Sequence, residues 1–297
     1  MKKRFRNIAG IMAILASSCL IAQSSHAGQS KPWRDPGLPL IVDAYELNTI
    51  DWQKLLGDKR IAGFIHKASD GLPETFACSE KEDSDAIALC RTKWRKYAVS
   101  KELYQTRRLV ARGAGLLWGA YHLARPGNPI DQANHFIDYA EPDGSDLMVL
   151  DLEDIDEKFM SLEDAEIFVR HVKSRTGRYP ILYTNHSVAR YIAANRRRYE
   201  LLSRLPIWYA RHRPDVSAVF PIGSWSNYFL WQFSSATNCS KKKCPYRIPG
   251  TLTDIDVNVA SVGLDGLKRV WGQGALLPSD AAELDLIAGA PTAYQPF

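Results

Sequence analysis

The stretch Leu147-Met148-Val149-Leu150-Asp151-Leu152-Glu153-Asp154-Ile155-Asp156 is an apolar run that ends abruptly in acids. Four apolar residues in succession suit a strand buried on both faces, as in a parallel sheet. Side chains alternate along a strand, so Asp151 and Glu153 point to one side and Leu152 to the other. Two carboxylates gathered where a strand leaves its sheet repel each other and lose hydration, which costs folding energy and points to acid chemistry rather than stability. The plainer alternative is an acidic turn that leads into a helix. It accounts for Asp154 and Asp156, but not for the same-side pair.

Such a pair needs a scaffold, and the chain supplies a repeated one. Short apolar runs ending in a polar or ionisable residue recur at Pro39–Asp43, Ile61–Lys67, Gly115–His122, Leu147–Glu153, Pro180–Asn185, Pro206–Arg211, Tyr228–Phe233 and Thr253–Asn258. Eight such strands predict a closed barrel. Helical patterns fall between the first five. Ser161-Leu162-Glu163-Asp164 resembles a capping box, Ala165, Phe168, Val169 and Val172 share one face, and Gly177 supplies a stop. Asn128-Pro129 is expected to cap and open another helix, with Ala133, Phe136 and Ile137 as its buried stripe. A long segment from Ala86 to Arg112 and a weaker one from Ser187 to Tyr199 complete the set. Residues 212–227 and 234–253 carry Pro, Gly and Ser with no sustained helical period, so helices are expected after the early strands only. After Val259 the chain reads as a weakly patterned, loosely held tail with one short helix.

The N-terminus runs from the basic Met1-Lys2-Lys3-Arg4-Phe5-Arg6 through the apolar Ile8–Ala22 to Ser25-His26-Ala27, the order of a secretory signal peptide cleaved after Ala27. An imperfect lipoprotein-type site at Ala16-Ser17-Ser18-Cys19 is the alternative, anchoring the chain instead. The apolar segment is too short and poorly flanked to span a membrane. Removing residues 1–27 leaves 270 of 297 residues and takes away four cations and no acids, so the net charge falls from +5 to +1. A nearly neutral mature chain gives no reason to invoke nucleic acid, whose binding rests on many phosphate contacts. Lys241-Lys242-Lys243 and Arg196-Arg197-Arg198 read as solvated faces.

Five cysteines become four without Cys19, an even number that suits pairing in an exported chain. Nearest-neighbour pairing joins Cys78 to Cys90 and Cys239 to Cys244, each stapling a local insertion, although other connectivities stay open. Zinc is the sharper alternative. The spacings do not give paired short-spaced ligands and no His-Glu-x-x-His occurs, so no metal or other cofactor is expected.

In a barrel of parallel strands the carboxyl ends gather on one face, which brings Asp43, Lys67, His122, Asp151, Glu153, Tyr183, Asn185, Arg211, Gln232 and Asp256 together. Acids, aromatics and hydrogen-bond donors, with no defensible Ser-His-Asp order and no Gly-rich phosphate loop, fit a carbohydrate substrate best.

These residues resemble a family. Val42-Asp43 followed by Ile50-Asp51-Trp52, then Gly119-Ala120-Tyr121-His122 with Ala124-Arg125-Pro126, Leu150-Asp151-Leu152-Glu153, Trp231-Gln232-Phe233 and Asp256-Val257-Asn258 occur in the order seen in the family 25 glycoside hydrolases, lysozymes of the N-acetylmuramidase type. The resemblance covers about Pro39 to Asn258. It implies a TIM-like α/β barrel of eight strands and about five helices, (β/α)5(β)3, that cuts peptidoglycan glycan strands between N-acetylmuramic acid and N-acetylglucosamine without a cofactor. It further implies Glu153 as proton donor, its pKa raised in part by a negative Asp151. Asp151 then stabilises the charge developing at the sugar, and Asp43 and Asp256 complete an acidic floor. Tyr121, Tyr183, Trp208 and Trp231 are candidates for sugar stacking or for barrel packing, with Gln232 among the binding residues, and His122 reads as a hydrogen-bonded structural residue.

The chain departs from the family at Ala44-Tyr45 and Asn48-Thr49, where Val-Ser and Gln-Gly are usual, which bears on glycan preference at the rim beside Asp43. The expected organisation is a signal peptide (1–27), a linker (28–37), a catalytic barrel (38–262) and a tail (263–297). Two other readings compete: a wall-binding or inhibitory protein on a barrel without catalysis, and a metal-dependent polysaccharide deacetylase using His66, His122 and Asp43. Oligomeric state is not legible.

Overall fold

The computed structural model describes residues 30–73, 78 and 84–279. The expected signal peptide with Cys19, and residues 280–297 of the expected tail, lie outside the described residues. Eight strands close into a barrel in chain order: β1 (Leu40–Ala44), β2 (Ile61–Asp70), β3 (Leu117–Leu123), β4 (Leu147–Asp151), β5 (Ile181–Asn185), β6 (Ile207–Ala210), β7 (Leu230–Ser234) and β8 (Asp256–Ala260). All eight expected runs form strands, shifted by up to three residues at their ends.

The expectation of an all-parallel barrel fails at its seam. β1 to β7 run parallel, but β8 is antiparallel to both β7 and β1. The physical reason is the connection. Residues 235–255 join the end of β7 to the start of β8 on the same barrel face, and an antiparallel neighbour needs no crossover helix.

Helices follow each of the first five strands: α1 (Trp52–Leu55), α2 (Ser84–Gly113), α3 (Pro129–Ala140), α4 (Leu162–Thr176) and the pair α5 (His186–Ala194) and α6 (Glu200–Arg204). None separates β6, β7 and β8, and α7 (Leu264–Val270) follows the last strand. The described residues thus hold seven helices where the resemblance implied about five. α6 is a second short piece of the β5–β6 connection, and α7 lies beyond the barrel strands.

Local signals explain most boundaries. Ser161 caps α4 by accepting the Asp164 N–H at 3.1 Å, and Gly177 ends it with φ of 74°, a conformation open to glycine at little cost. Asn128, expected to cap α3, does not. It adopts φ of 45° and its side chain makes no capping bond. The turn is held instead by the buried Gln132, whose amide NH2 donates to the carbonyls of Arg125 (2.8 Å) and Gly127 while its oxygen accepts the Arg125 N–H.

Strand alternation sorts the core into two shells. Ile41, Ile65, Val149, Ile181, Trp208 and Leu230 fill the barrel, while Val42, Phe64, Trp118, Leu150 and Trp231 face the helices or the outer wall. The one short helix expected in the otherwise loosely held tail is α7, and with Trp271 it plugs the barrel. Leu267 and Trp271 are buried with the interior shell, and Trp271 Nε1 donates to the Trp118 carbonyl at 2.7 Å. The boundary drawn at residue 262 therefore cuts through the core. Cys78 pairs with Cys90 and Cys239 with Cys244, the nearest-neighbour arrangement.

Trp271→Ala removes a buried indole and opens a cavity at the barrel base. It is expected to lower the free energy of unfolding by about 3–5 kcal/mol, read from denaturant titration.

Candidate active site

A small cavity of about 60 Å³ lies at the carboxyl ends of the parallel strands, lined by Asp43, Tyr121, Asp151, Glu153, Tyr183, Trp208, Gln232 and Asp256. Alternation explains the set. On β1, Ile41 and Asp43 point inward, and on β4 Leu147, Val149 and Asp151 do so. The interior is thus apolar at its base and acidic at its top. Glu153 follows the end of β4 and is exposed at the rim, whereas Asp151 is only 6% exposed and its Oδ1 has no hydrogen-bond partner among the described residues. Asp256 reaches the same face from the first residue of β8, since that strand runs the other way.

Amides hold the floor. Asn258 Nδ2 donates to Asp43 Oδ2 at 2.6 Å and its Oδ1 accepts the Trp208 indole N–H at 2.6 Å. Gln232 Nε2 reaches Asp43 Oδ2 (3.4 Å) and Asp256 Oδ2 (3.3 Å), while its oxygen accepts from Tyr183 O–H at 3.0 Å and from His212 Nε2–H at 3.2 Å. With two donors on one side of its amide and two acidic acceptors on the other, Gln232 has one orientation.

Two donors cannot offset the loss of water around so many carboxyls. Burial pushes Asp43 up to about 6 against the bonds from Asn258 and Gln232. Burial, then the charges of Asp43, Asp254 and Glu153, push Asp256 up to about 9. Asp151 is raised well above the usual carboxylate range, by burial first and then by Glu153, Asp43 and Asp70, with Arg125 opposing. Glu153 is raised by burial, opposed by Arg125 and assisted by Asp70. The expected cause of the Glu153 shift was the charge of Asp151. Burial leads instead, and because Asp151 is the deeper group, their mutual repulsion is felt there. Tyr121 and Tyr183 are held as neutral phenols by burial and by the surrounding acids.

Several expected site residues lie elsewhere or have no exposed face. Trp231 points out of the barrel, fully buried edge-on to Trp33 and Tyr228, so it packs and has no face for a sugar. Trp208 is 1% exposed and forms the cavity floor against Tyr183. Lys67 turns to Glu46, 3.0 Å away, and Asn185 caps α5 by accepting the N–H groups of Ser187 and Val188. His122 sits outside the barrel, accepting from Ser69 Oγ–H (2.8 Å) and donating to Gln132 Oε1 (3.0 Å), a structural residue as expected. His66 is likewise buried outside, between the Lys67 carbonyl and Arg107. His66 and His122 face away from Asp43, so the three do not form the deacetylase centre considered from the sequence.

Sequence reasoning missed Asn258 as a positioning group, although it was part of the Asp256-Val257-Asn258 motif. It also missed Asp70, since β2 was expected to end at Lys67 and runs three residues further. Asp70 pairs with Arg125 (2.6 Å), and this ion pair borders the two central acids.

The family model described as "Glycosyl hydrolases family 25" matches residues 96–241, a span holding Tyr121, Asp151, Glu153, Tyr183, Trp208 and Gln232. The fold is similar to that of a bacterial lysozyme from Streptomyces coelicolor (TM-score 0.53, 20% identity, 80% of this chain and 98% of that one). It is also similar to a muramidase from Trichobolus zukalii (0.53, 21%, 79% and 99%) and to a family GH25 lysozyme from Aspergillus fumigatus (0.53, 18%, 79% and 99%). No curated protein sequence matches the chain.

A carboxyl whose pKa is higher folded than unfolded binds a proton that the unfolded chain releases, so its cost to stability appears as pH rises above the unfolded value. For Asp256 that window runs from 3.8 to about 9. Asp256→Asn is therefore expected to raise stability at pH 8 by more than about 1 kcal/mol and to leave it nearly unchanged at pH 3.5, read by thermal unfolding at both pH values.

Proposed function

We propose that this chain is an exported lysozyme of the family 25 glycoside hydrolases, whose family model matches residues 96–241, and that it cleaves the β-1,4 bond between N-acetylmuramic acid and N-acetylglucosamine in peptidoglycan. One observation carries the reading. Asp151 and Glu153 stand together at one end of the barrel, the first buried and the second open to solvent, in a cavity otherwise lined by acids, phenols and amides. The structures it resembles include a bacterial lysozyme and muramidases. Export is supported by the leader-like N-terminus and by two disulfides, which persist in oxidising compartments.

In this reading Glu153 is the general acid. Its raised pKa keeps a proton available for the glycosidic oxygen, and its exposure lets the leaving sugar reach it. Asp151 lies where positive charge develops at the sugar's anomeric carbon. Burial drives it toward the neutral form, and its Oδ1, which has no partner among the described residues, is free to meet the substrate. The carboxylate form of Asp151 stabilises that charge directly, or accepts the N–H of the substrate's acetamido group and steers its oxygen toward the anomeric carbon. Asp43 and Asp256, tied through Gln232, keep the floor acidic, and the neutral phenols of Tyr121 and Tyr183 supply hydrogen-bond donors to the glycan.

Glu153→Gln keeps the shape and removes the proton. The variant is expected to lose at least about a hundredfold in kcat on purified peptidoglycan with an unchanged unfolding midpoint. Mass spectrometry of parent digests is expected to find the new reducing ends on muramic acid. Full turnover by the variant, or reducing ends on glucosamine, overturns the assignment. Activity is expected to fall as pH rises through the Glu153 pKa, since the acid must be protonated. Arg125→Gln removes a cation that lowers that pKa and frees Asp70, which raises it, so the alkaline limb of kcat/KM is expected to move to higher pH.

A further inference from the structure

The flank of the cleft beyond Glu153 carries a group of cations that the glycosidase chemistry does not use. α5 starts where β5 ends, on the face that holds the acids, and Asn185 at that junction donates from Nδ2 to the Glu153 carbonyl oxygen at 2.5 Å. The next residue, His186, shares a hydrogen bond between its Nδ1 and the Tyr209 hydroxyl at 2.7 Å, and Arg211 Nη1 donates to the same phenol oxygen at 3.2 Å. Arg190, one helical turn along α5, and Arg213 complete the group. The three guanidiniums act on His186, which burial and their charge together hold below the usual imidazole range.

Arg190, Arg211 and Arg213 form no ion pair with any described residue, in contrast to Lys67 and Arg125 on the opposite flank, which pair with Glu46 and Asp70. His186 and Arg190 of this group open onto a groove of about 540 Å³ between α5 and residues 218–223. His186, Arg190 and Arg196 line it together with an apolar wall that includes Ala193, Val219 and Ile222, and no carboxylate lines it among the described residues.

We propose that this groove binds the carboxylates of the short peptide that peptidoglycan carries on its muramoyl residues. The proposal rests on the peptidoglycan reading above and adds the part of the substrate that the acid cavity does not recognise. A sugar held against Glu153 and Asp151 places its lactyl substituent at the rim of the cleft, and two or three extended peptide residues cover about 7–10 Å. Guanidiniums present paired N–H donors that match a carboxylate. The apolar wall suits small aliphatic side chains such as alanine, which a phosphate polymer lacks. An acidic cavity flanked by paired charges on one side and unpaired cations on the other also aligns an anionic substituent in one direction along the cleft.

The test compares the full parent chain with the double variant Arg190→Gln/Arg213→Gln, both sites being exposed and outside the acid cavity. Each enzyme is given purified peptidoglycan and the same glycan stripped of peptide by an amidase. The variant is expected to show a KM about five- to tenfold higher on peptide-bearing strands, an unchanged kcat, and parent-like kinetics on stripped glycan. Equal losses on both substrates, or no change on either, overturn the proposal. Binding is read separately by calorimetry with a soluble muramoyl peptide bearing free carboxylates and with its carboxamide form. The parent is expected to prefer the free acid and the variant to lose that preference, while tighter binding of a glycerol phosphate oligomer also overturns the proposal. A parent that binds the peptide in this way yet cuts neither glycan refutes the hydrolase reading and leaves the groove assignment standing.

Discussion

The loss of water around the carboxyls at one end of a closed barrel is the constraint on which the rest of this structure depends. Asp43, Asp151 and Asp256 point inward from three different strands, where each would bind solvent if the sheet were open. Closure leaves them two amide side chains, Asn258 and Gln232, and leaves Asp151 Oδ1 with none among the described residues. The molecule tolerates this because the other end of the barrel is well packed. Ile41, Ile65, Val149, Ile181 and Leu230 fill the interior below the acids, and Trp271 seals its base. The acids therefore sit on a rigid floor where burial raises every one of them, but Asp43, which Asn258 and Gln232 bond, is raised less than Asp256, which the neighbouring carboxylates push further, and Glu153 at the rim remains open to a substrate.

The incomplete helical coat serves the same end. A parallel strand must be reached by a crossover, and helices supply one after each of the first five strands. Around β6, β7 and β8 irregular segments take their place and form one wall of the cleft. His212 projects from such a segment to hold Gln232, and the Cys239–Cys244 bridge closes a small loop in the next. The antiparallel β8 is a direct product of this economy. Entering from the top of the barrel, it delivers Asp256 and Asn258 to the cleft at its beginning, not at its end.

Outside the barrel, buried polar residues act as fasteners. His66 and His122 are each enclosed by a donor on one ring nitrogen and an acceptor on the other, which leaves the neutral ring as the form that fits. Burial accordingly lowers His66 to about 3 and His122 to about 4. They lie one residue away in register from inward-facing positions, and that single step separates a structural histidine from one in the cleft.

The order of strands, the five-helix rhythm and the identity of the central acids were legible in the sequence, because hydrophobic alternation and abrupt polar endings are local properties. Leu147 to Glu153 carried the clearest signal: its alternation put Asp151 and Glu153 on one side of the strand before any partner strand was known. Local pattern could not decide what depends on meeting a distant segment. The direction of β8 follows from which barrel face its connection crosses. The burial of Trp231 follows from the side of the sheet on which Trp33 waits, and the role of Trp271 from an opening at the base that exists only once eight strands have closed. The same holds for charge. Composition gives a net charge of only +5 over 297 residues, whereas tertiary structure segregates the charges into a desolvated acid cavity, a flank where Lys67 and Arg125 are paired and one where Arg190, Arg211 and Arg213 have no ion pair among the described residues, since burial and proximity, and not residue counts, determine the field a substrate meets.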